Sequence, residues 1–334
     1  MRIGIVEVGH WHSEGYIRKA LDLGLEIVAV SDHNAQTVQQ CANQLGCRAY
    51  TDYQHLLDEE APDFVFAHGI HREMTKIADA LVEHGTPFVM EKPMGVDWRQ
   101  LAAVADKAER RGLFAGVVLP RRCLKLAREL LRLKEADELG RVTACCQRLL
   151  AGEPHRYHDW NVSWVLDPAQ AGGGPIFNLA PHVIDLLLLL SGQEVQSVFC
   201  QSSRALHGLD VEDYSTMLLS TTEGAVASLD VGYVCPESRY DEYLSLCTDR
   251  LLVSTKVFDE GTTSSAQATI FFRDGRTLEV SEGPDPEDVC FAETIRRLQA
   301  GEPPIASIRD MCRVLRVINA AVESAATHAP VVLS

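Results

Sequence analysis

From Ile3 to Val118, short apolar runs alternate with amphipathic helical stretches. That alternation fits a parallel sheet covered on both faces and little else. The runs are Ile3–Val6, Glu26–Val30, Phe64–Ala67, Pro87–Met90 and Leu113–Val118. Helical patterns fill the gaps at Glu14–Leu23, Ala35–Leu45, Tyr53–Glu59, Arg72–His84 and Trp98–Arg111. Two of these fall between the second and third runs, which predicts a short extra strand near Arg48–Tyr50. Most runs are rich in β-branched or aromatic residues and end in polar residues or glycine, as buried parallel strands do.

The pattern changes beyond Arg121. A helix over Leu124–Leu133 leads to a strand over Arg141–Leu150 and then to a long polar loop, through His155–Trp160 to Gly172–Gly174. A helix is predicted over Asn178–Ser191. Extended segments follow at Val195–Ser203, Tyr214–Ser220, Ala225–Val234, Glu242–Leu246, Leu251–Ser254, Ala268–Phe272 and Thr277–Val280. Within Ala225–Val234, Leu229, Val231 and Tyr233 alternate with Ser228, Asp230 and Gly232, the pattern of a sheet with one packed and one more polar face. Helices over Pro286–Ala300 and Ser307–Thr327 close the chain, the second opening with Ser307 and Asp310 at capping spacing. The expected architecture is an α/β dinucleotide-binding domain with a parallel sheet over residues 1–120. An α+β domain with a large, mostly antiparallel open sheet follows over 121–334, its last helix packing back on the first domain.

A length of 334 residues agrees with two domains. The formal charge of −16 argues against nucleic acid, because phosphate binding needs a concentrated Lys/Arg field. Ten cysteines are scattered without metal-ligand spacing, which favours reduced core thiols over a disulfide framework. The run Leu186–Leu190 is far too short to span a membrane. The opening MRIGIVEVG reads as strand and turn rather than a leader, so a cytoplasmic protein is expected.

Three segments carry chemistry. In IGIVEVGHWHSEGY a strand runs through a Gly-containing turn into a helix, a geometry that points backbone N–H groups at a pyrophosphate. Where the pattern G-x-G-x-x-G expects glycine, this turn has Glu7, Gly9 and His12, and a carboxylate at Glu7 repels pyrophosphate unless it is turned away or paired. Asp32, closing the second strand, is placed to bind ribose hydroxyls and to favour NAD over NADP. The runs ending at Ala67 and Met90 lead into HGIHREM and EKPMG. Ligands in open α/β sheets bind beyond the strands' carboxyl ends, so His68, His71, Glu91 and Lys92 are expected beside Gly9, His10, Trp11 and His12. In GGGPIFNLAPHVID, a helix spacing of i, i+4 and i+7 sets Asn178, His182 and Asp185 on one face.

E-K-P followed by G-G-G…N-x-x-x-H-x-x-D, in that order and in separate domains, resembles the Gfo/Idh/MocA oxidoreductases over nearly the full chain. The resemblance implies an N-terminal Rossmann domain and a nicotinamide cofactor. It also implies that Lys92 and His182 line the reaction centre and that Asn178 stands where many members have Asp. Asn cannot ionise, which leaves His182 as the general acid/base, Lys92 as stabiliser of the alkoxide and Asn178 to position substrate. The run HWHSEGY, with His10, His12 and Tyr16, looks like a variant subgroup. Its imidazoles either pack near the nicotinamide or join His68 and His71 around a divalent ion; the resemblance implies no metal.

His158 and Trp160 in HRYHDWN, with Arg122 at the crossover and Asp185, are the candidate substrate contacts. Arg121 beside Arg122 is open to an acidic group. The expected reaction is hydride transfer between NAD and a secondary alcohol or lactol of a polyhydroxylated small molecule, in a homodimer or homotetramer. Two rivals remain: an NAD-using lyase or hydrolase with transient oxidation, and a non-catalytic ligand-binding regulator.

Overall fold

The computed structural model describes residues 1–259, 268–281 and 283–333. Six strands form the first sheet: β1 (Arg2–Val6), β2 (Glu26–Ser31), β3 (Arg48–Tyr50), β4 (Phe64–Ala67), β5 (Phe88–Met90) and β6 (Ala115–Val117). All pair in parallel, in the order β3-β2-β1-β4-β5-β6. The chain reverses direction of travel between β1 and β4. A crevice therefore opens beyond the carboxyl ends of these two strands, at Glu7–His12 and His68–His71. Local chemistry sets the helix bounds. Asn34 caps Ala35–Leu45 by accepting from the backbone N–H groups of Gln36 and Thr37, and Asp97 does the same for Trp98–Arg110 through Arg99.

The second sheet has nine strands: β7 (Val142–Gly152), β8 (Val195–Ser203), β9 (Tyr214–Thr221), β10 (Val226–Cys235), β11 (Tyr240–Thr248), β12 (Leu251–Asp259), β13 (Ala268–Phe272), β14 (Thr277–Val280) and β15 (Val331–Val332). Their order is β14-β13-β12-β11-β7-β10-β9-β8-β15, antiparallel throughout except for the β7–β10 pair. Burial alternates along β9, β10 and β13, and the buried face packs against the helices Ala180–Ser191 and Ile308–Thr327. The expected polar loop after β7 is not structureless. It folds into the short helical turns Arg156–Asp159, Ser163–Leu166 and Pro168–Ala171.

The predicted helix Asn178–Ser191 is two helices. Pro175–Asn178 ends at Leu179, and the segment Pro168–Asn178 meets Ala180–Ser191 at 47°. Pro181 is the cause: it lacks an N–H, and its ring excludes the carbonyl of the preceding turn, so it sits in the first turn of a new helix. Asn178 and Asp185 therefore do not share the stripe that spacing predicted.

Two contacts lock the sheets together. Asn319 of the last helix accepts from Trp98 N–H (3.1 Å) and donates to the Val96 carbonyl (2.8 Å). Arg122, at the crossover, donates to both oxygens of Asp185 (2.9 and 2.6 Å), to the Ile305 carbonyl (2.8 Å) and to Asp310 (3.3 Å). Asp310 in turn completes a capping box with Ser307 at the head of the last helix. The bidentate pair is almost wholly buried. Asp185→Ala leaves this guanidinium without its main carboxylate, and breaking such a pair costs about 3–5 kcal/mol. Urea unfolding should show a loss of that size.

Candidate active site

The first turn departs from three glycines without losing its geometry. Glu7 stands at φ 58°, a left-handed conformation usually given to glycine, and the Glu7 carbonyl accepts from His10 N–H. Its carboxylate is not aimed at the turn's N–H groups; it lies 2.7 Å from His33 Nδ1. Burial raises the Glu7 pKa, and the bond to Glu7 raises that of His33. A Cβ on Gly9 would lie 2.8 Å from an Asp32 oxygen, so a larger residue there must push that carboxylate aside. Asp32 is 2% exposed and accepts from Gly9 N–H (2.6 Å) and Asn34 N–H (2.8 Å). The carboxylate expected to meet ribose is thus turned back to brace the turn that leads to it.

The helix Ser13–Asp22 begins directly after His12 with no side-chain cap, and the buried Ser13 Oγ has no hydrogen-bond partner. Uncapped N–H groups and a spare hydroxyl behind a Gly turn fit a dinucleotide pyrophosphate. Among the described residues, the cluster with metal-ligand spacing is Glu7, Asp32 and His33, not the imidazoles of the H-x-H turn. Those rings stack instead. His10 lies 3.8 Å from Trp11, 5.5 Å from His12 and 5.3 Å from His68, centroid to centroid. His68 Nδ1 faces the Val6 carbonyl (3.3 Å) and His71 Nδ1 the Ala171 carbonyl (3.0 Å). Burial drives the imidazole pKa values down, to about 4 for His12 and His68 and about 3 for His71, so these rings are neutral at pH 7.

Glu91 and Lys92 part company at the end of β5. Glu91 is buried and accepts from Tyr16 OH (2.7 Å), fastening the first helix to the sheet instead of reaching the cleft. Lys92 is 5% exposed and crosses to the second sheet's helices, donating to Asn178 Oδ1 (2.6 Å) and to the Asn178 carbonyl (2.8 Å). Because an ammonium only donates, Asn178 must present its oxygen to Lys92 and its NH2 to the other side. There Nδ2 meets the hydroxyls of Tyr157 (2.7 Å) and Tyr233 (2.9 Å). The three glycines position this amide. A Cβ at Gly174 would lie 2.3 Å from the Glu212 carbonyl, so only glycine allows the helix Pro175–Asn178 to start that close to the neighbouring chain.

Burial pushes the Lys92 pKa down to about 8. His182 is half-buried, and its pKa falls well below the usual imidazole range through burial first, then the charges of Lys92 and Arg121. His182 Nδ1 is buried without a partner.

The candidate substrate contacts are rearranged. Arg122 and Asp185 saturate each other away from the cleft, because a buried guanidinium and carboxylate pair before either can wait for a ligand. His158 is exposed and bonds Ser163 Oγ (2.7 Å), while Trp160 is 47% exposed and packs its edge on Tyr157. The residue of HRYHDWN that points inward is Tyr157, 2% exposed and edge-on to Trp11 at 5.6 Å. Trp164 joins it, packed against Trp11 and His71. Tyr157, Tyr233 and Trp164 were not anticipated; the turn Arg156–Asp159 that aims Tyr157 has too short a period to read.

Lys92, just beyond the first sheet's β5, bonded to Asn178 on a helix of the second domain and beside a Rossmann turn, is the decisive arrangement. The family descriptions "Oxidoreductase family, NAD-binding Rossmann fold" and "GFO/IDH/MocA C-terminal domain" match residues 1–118 and 127–254. The chain belongs to the Gfo/Idh/MocA oxidoreductases. As a member it is an oxidoreductase with an NAD-binding Rossmann fold. It is 26% identical over 315 residues to D-xylose 1-dehydrogenase (NADP(+)) 2 of Haloferax volcanii, covering 92% of each chain. Against myo-inositol 2-dehydrogenase of Thermotoga maritima it is 22% identical over 332 residues, covering 93% of this chain and 92% of that one. The fold superposes on levoglucosan dehydrogenase in complex with NADH and levoglucosan with a TM-score of 0.84 at 17% identity, covering 99% of both chains. No single helix among the described residues is long and apolar enough to cross a membrane.

Gly9→Ala tests the turn. Its Cβ must displace Asp32, and overpacking of this kind costs about 1–3 kcal/mol. A fluorescence titration should show NADH binding weakened by about ten- to a hundredfold.

Proposed function

We propose that this oxidoreductase transfers hydride between NAD and a secondary alcohol or lactol carbon of a sugar or polyol. The observation that carries the reading is the Lys92–Asn178 contact beside His182, at the switch point of the first sheet. A bound nicotinamide supplies the acceptor or donor of hydride. Gly9, the uncapped N–H groups after His12 and Ser13 would hold its pyrophosphate, with Trp11 and His10 nearby.

The protein's part is proton and charge management. In alcohol oxidation the hydroxyl proton passes to neutral His182 as the carbon–hydrogen bond breaks, and Lys92 holds the oxygen while it carries negative charge. Asn178 fixes the Lys92 ammonium and adds no charge of its own. NAD is preferred over NADP because Asp32 and Glu7 place two carboxylates beyond β2, where a 2′-phosphate would lie. The outward face of the second sheet, with Leu218, Val226, Leu252 and Phe271 exposed, is the association face of a dimer or tetramer.

A panel of aldoses, polyols and sugar acids with NAD and with NADP, read at the nicotinamide absorbance, tests the reading. Turnover with net NADH formation is expected, with the higher kcat/KM for NAD; product without net NADH would assign transient oxidation instead. Lys92→Ala and His182→Ala should each lower kcat by about a hundredfold or more while leaving NADH affinity near that of the parent. Unchanged kcat in both would remove these roles.

The pH dependence follows from Lys92. Its donor form is the protonated one, and its pKa is about 8, so kcat/KM for alcohol oxidation, in which neutral His182 takes the proton, should fall as pH rises through about 8. His182 stays neutral over that range and adds no limb. Lys92→Arg keeps the charge to high pH, and its residual activity should lose the limb.

A further inference from the structure

We propose that Tyr157 is a further catalytic residue, a hydrogen-bond donor to the reacting oxygen of the substrate, paired with Lys92. The inference rests on the hydride-transfer reading above and specifies the site that holds the oxygen.

The argument is a count of hydrogens. Lys92 Nζ carries three, of which two go to Asn178; among the described residues no acceptor takes the third. The Asn178 amide is oriented by Lys92, so both of its Nδ2 hydrogens go to phenol oxygens. Tyr157 also receives a hydrogen from Arg156 Nη2 at 3.2 Å. The Tyr157 oxygen is therefore ringed by groups that only donate. Among the described residues no hydrogen bond joins the two phenols, and no acceptor takes the hydroxyl hydrogen of either.

Position singles out Tyr157 as the one that offers its hydrogen to a ligand. Tyr233 is wholly enclosed, lying on β10 beneath the cluster, whereas the Tyr157 ring packs edge-on against Trp11 of the dinucleotide turn. Buried polar groups in folded proteins are satisfied almost without exception. Here a spare ammonium hydrogen and a spare hydroxyl hydrogen sit on either side of one amide, in a cluster that holds no anion. Arg156 strengthens the excess: its guanidinium lies over the rings of Tyr157 and Tyr233, at 4.9 and 5.7 Å, and no carboxylate among the described residues pairs with it. Two donors in want of one oxygen make a site for an alkoxide developing at the substrate carbon. No bond is made or broken at Tyr157. It donates a hydrogen bond that strengthens as negative charge gathers on the oxygen.

Two measurements test this. The first compares Tyr157→Phe and Tyr233→Phe in steady-state turnover of D-xylose, myo-inositol and the rest of the panel, with thermal melting and NADH titration alongside. Tyr157→Phe should lower kcat by about a hundredfold, with KM and NADH affinity within about threefold of the parent. Tyr233→Phe, which removes the matching hydroxyl from the enclosed side, should lower kcat by about fivefold at most. Equal losses in both, or a Tyr157→Phe effect confined to KM or to melting temperature, would overturn the proposal. The second is neutron diffraction from deuterium-exchanged crystals of the full chain. The Tyr157 hydroxyl deuteron should point into the cleft, and a deuteron directed at Tyr233 would overturn the assignment without reference to any substrate. A parent protein that binds NADH and keeps its kcat in Tyr157→Phe refutes the role of Tyr157 alone. A parent that binds no dinucleotide refutes the hydride-transfer reading.

Discussion

The site depends on an ammonium buried against neutral partners. Lys92 spends its short-range contacts on the amide and carbonyl of Asn178, neither of which carries charge. The carboxylate of Glu91, the residue just before it in the chain, is committed to Tyr16. An aspartate at 178 would neutralise the ammonium through a short charge-assisted bond. Asparagine leaves the positive charge standing in a poorly solvated cleft, and the surroundings respond as electrostatics requires. Burial makes the ammonium easier to deprotonate, and burial first, with the field of Lys92 added to it, holds the imidazoles of His12, His71 and His182 neutral. The result is a buried cluster whose ammonium bonds no carboxylate and whose donors exceed its acceptors, arranged before any anion forms.

Such a site is useful only if the two sheets keep their relation, because Lys92 leaves one and Asn178 lies on a helix of the domain that holds the other. The Arg122 clamp supplies this. One guanidinium joins the crossover, the helix Ala180–Ser191 and the head of the last helix, and Asn319 pins the middle of that last helix to the segment just beyond Lys92. Arg122 and Asp185 hold the helix that carries His182 to the crossover.

The periodicities exposed nearly every element, down to the three-residue strand Arg48–Tyr50, because core-facing stripes are local properties of a chain. What they could not expose was orientation after a break and the choice of partner. Asp185 falls seven residues after Asn178, and helix spacing puts both on one face; the turn at Leu179, forced by Pro181, sends Asp185 to Arg122 instead. A proline three residues after Asn178 was the available signal. In HRYHDWN the polar residues drew attention, yet a single helical turn buries its second residue, Tyr157, and exposes His158 and Trp160. The glycine run and E-K-P were legible because each has a backbone reason to exist. Tyr233 was legible only as a core position on an alternating strand, since its hydroxyl finds Asn178 through folding and not through spacing.

The same distinction explains the turn that lacks two of three glycines. The first glycine of such a fingerprint is there for its left-handed backbone, and Glu7 adopts that conformation at φ 58° with its side chain drawn outward by His33. The third glycine is there so that the helix can pack closely on the strand. His12 fills that place by entering a row of stacked rings with His10, Trp11 and His68. Only the middle glycine is kept, because the space for its Cβ is taken by Asp32, and Asp32 is held there by the Gly9 N–H itself. The turn has exchanged two small residues for aromatic packing and an ion pair while keeping the one position where backbone meets carboxylate. What a glycine count registers as a damaged cofactor site is therefore a different set of contacts holding the same curve of chain.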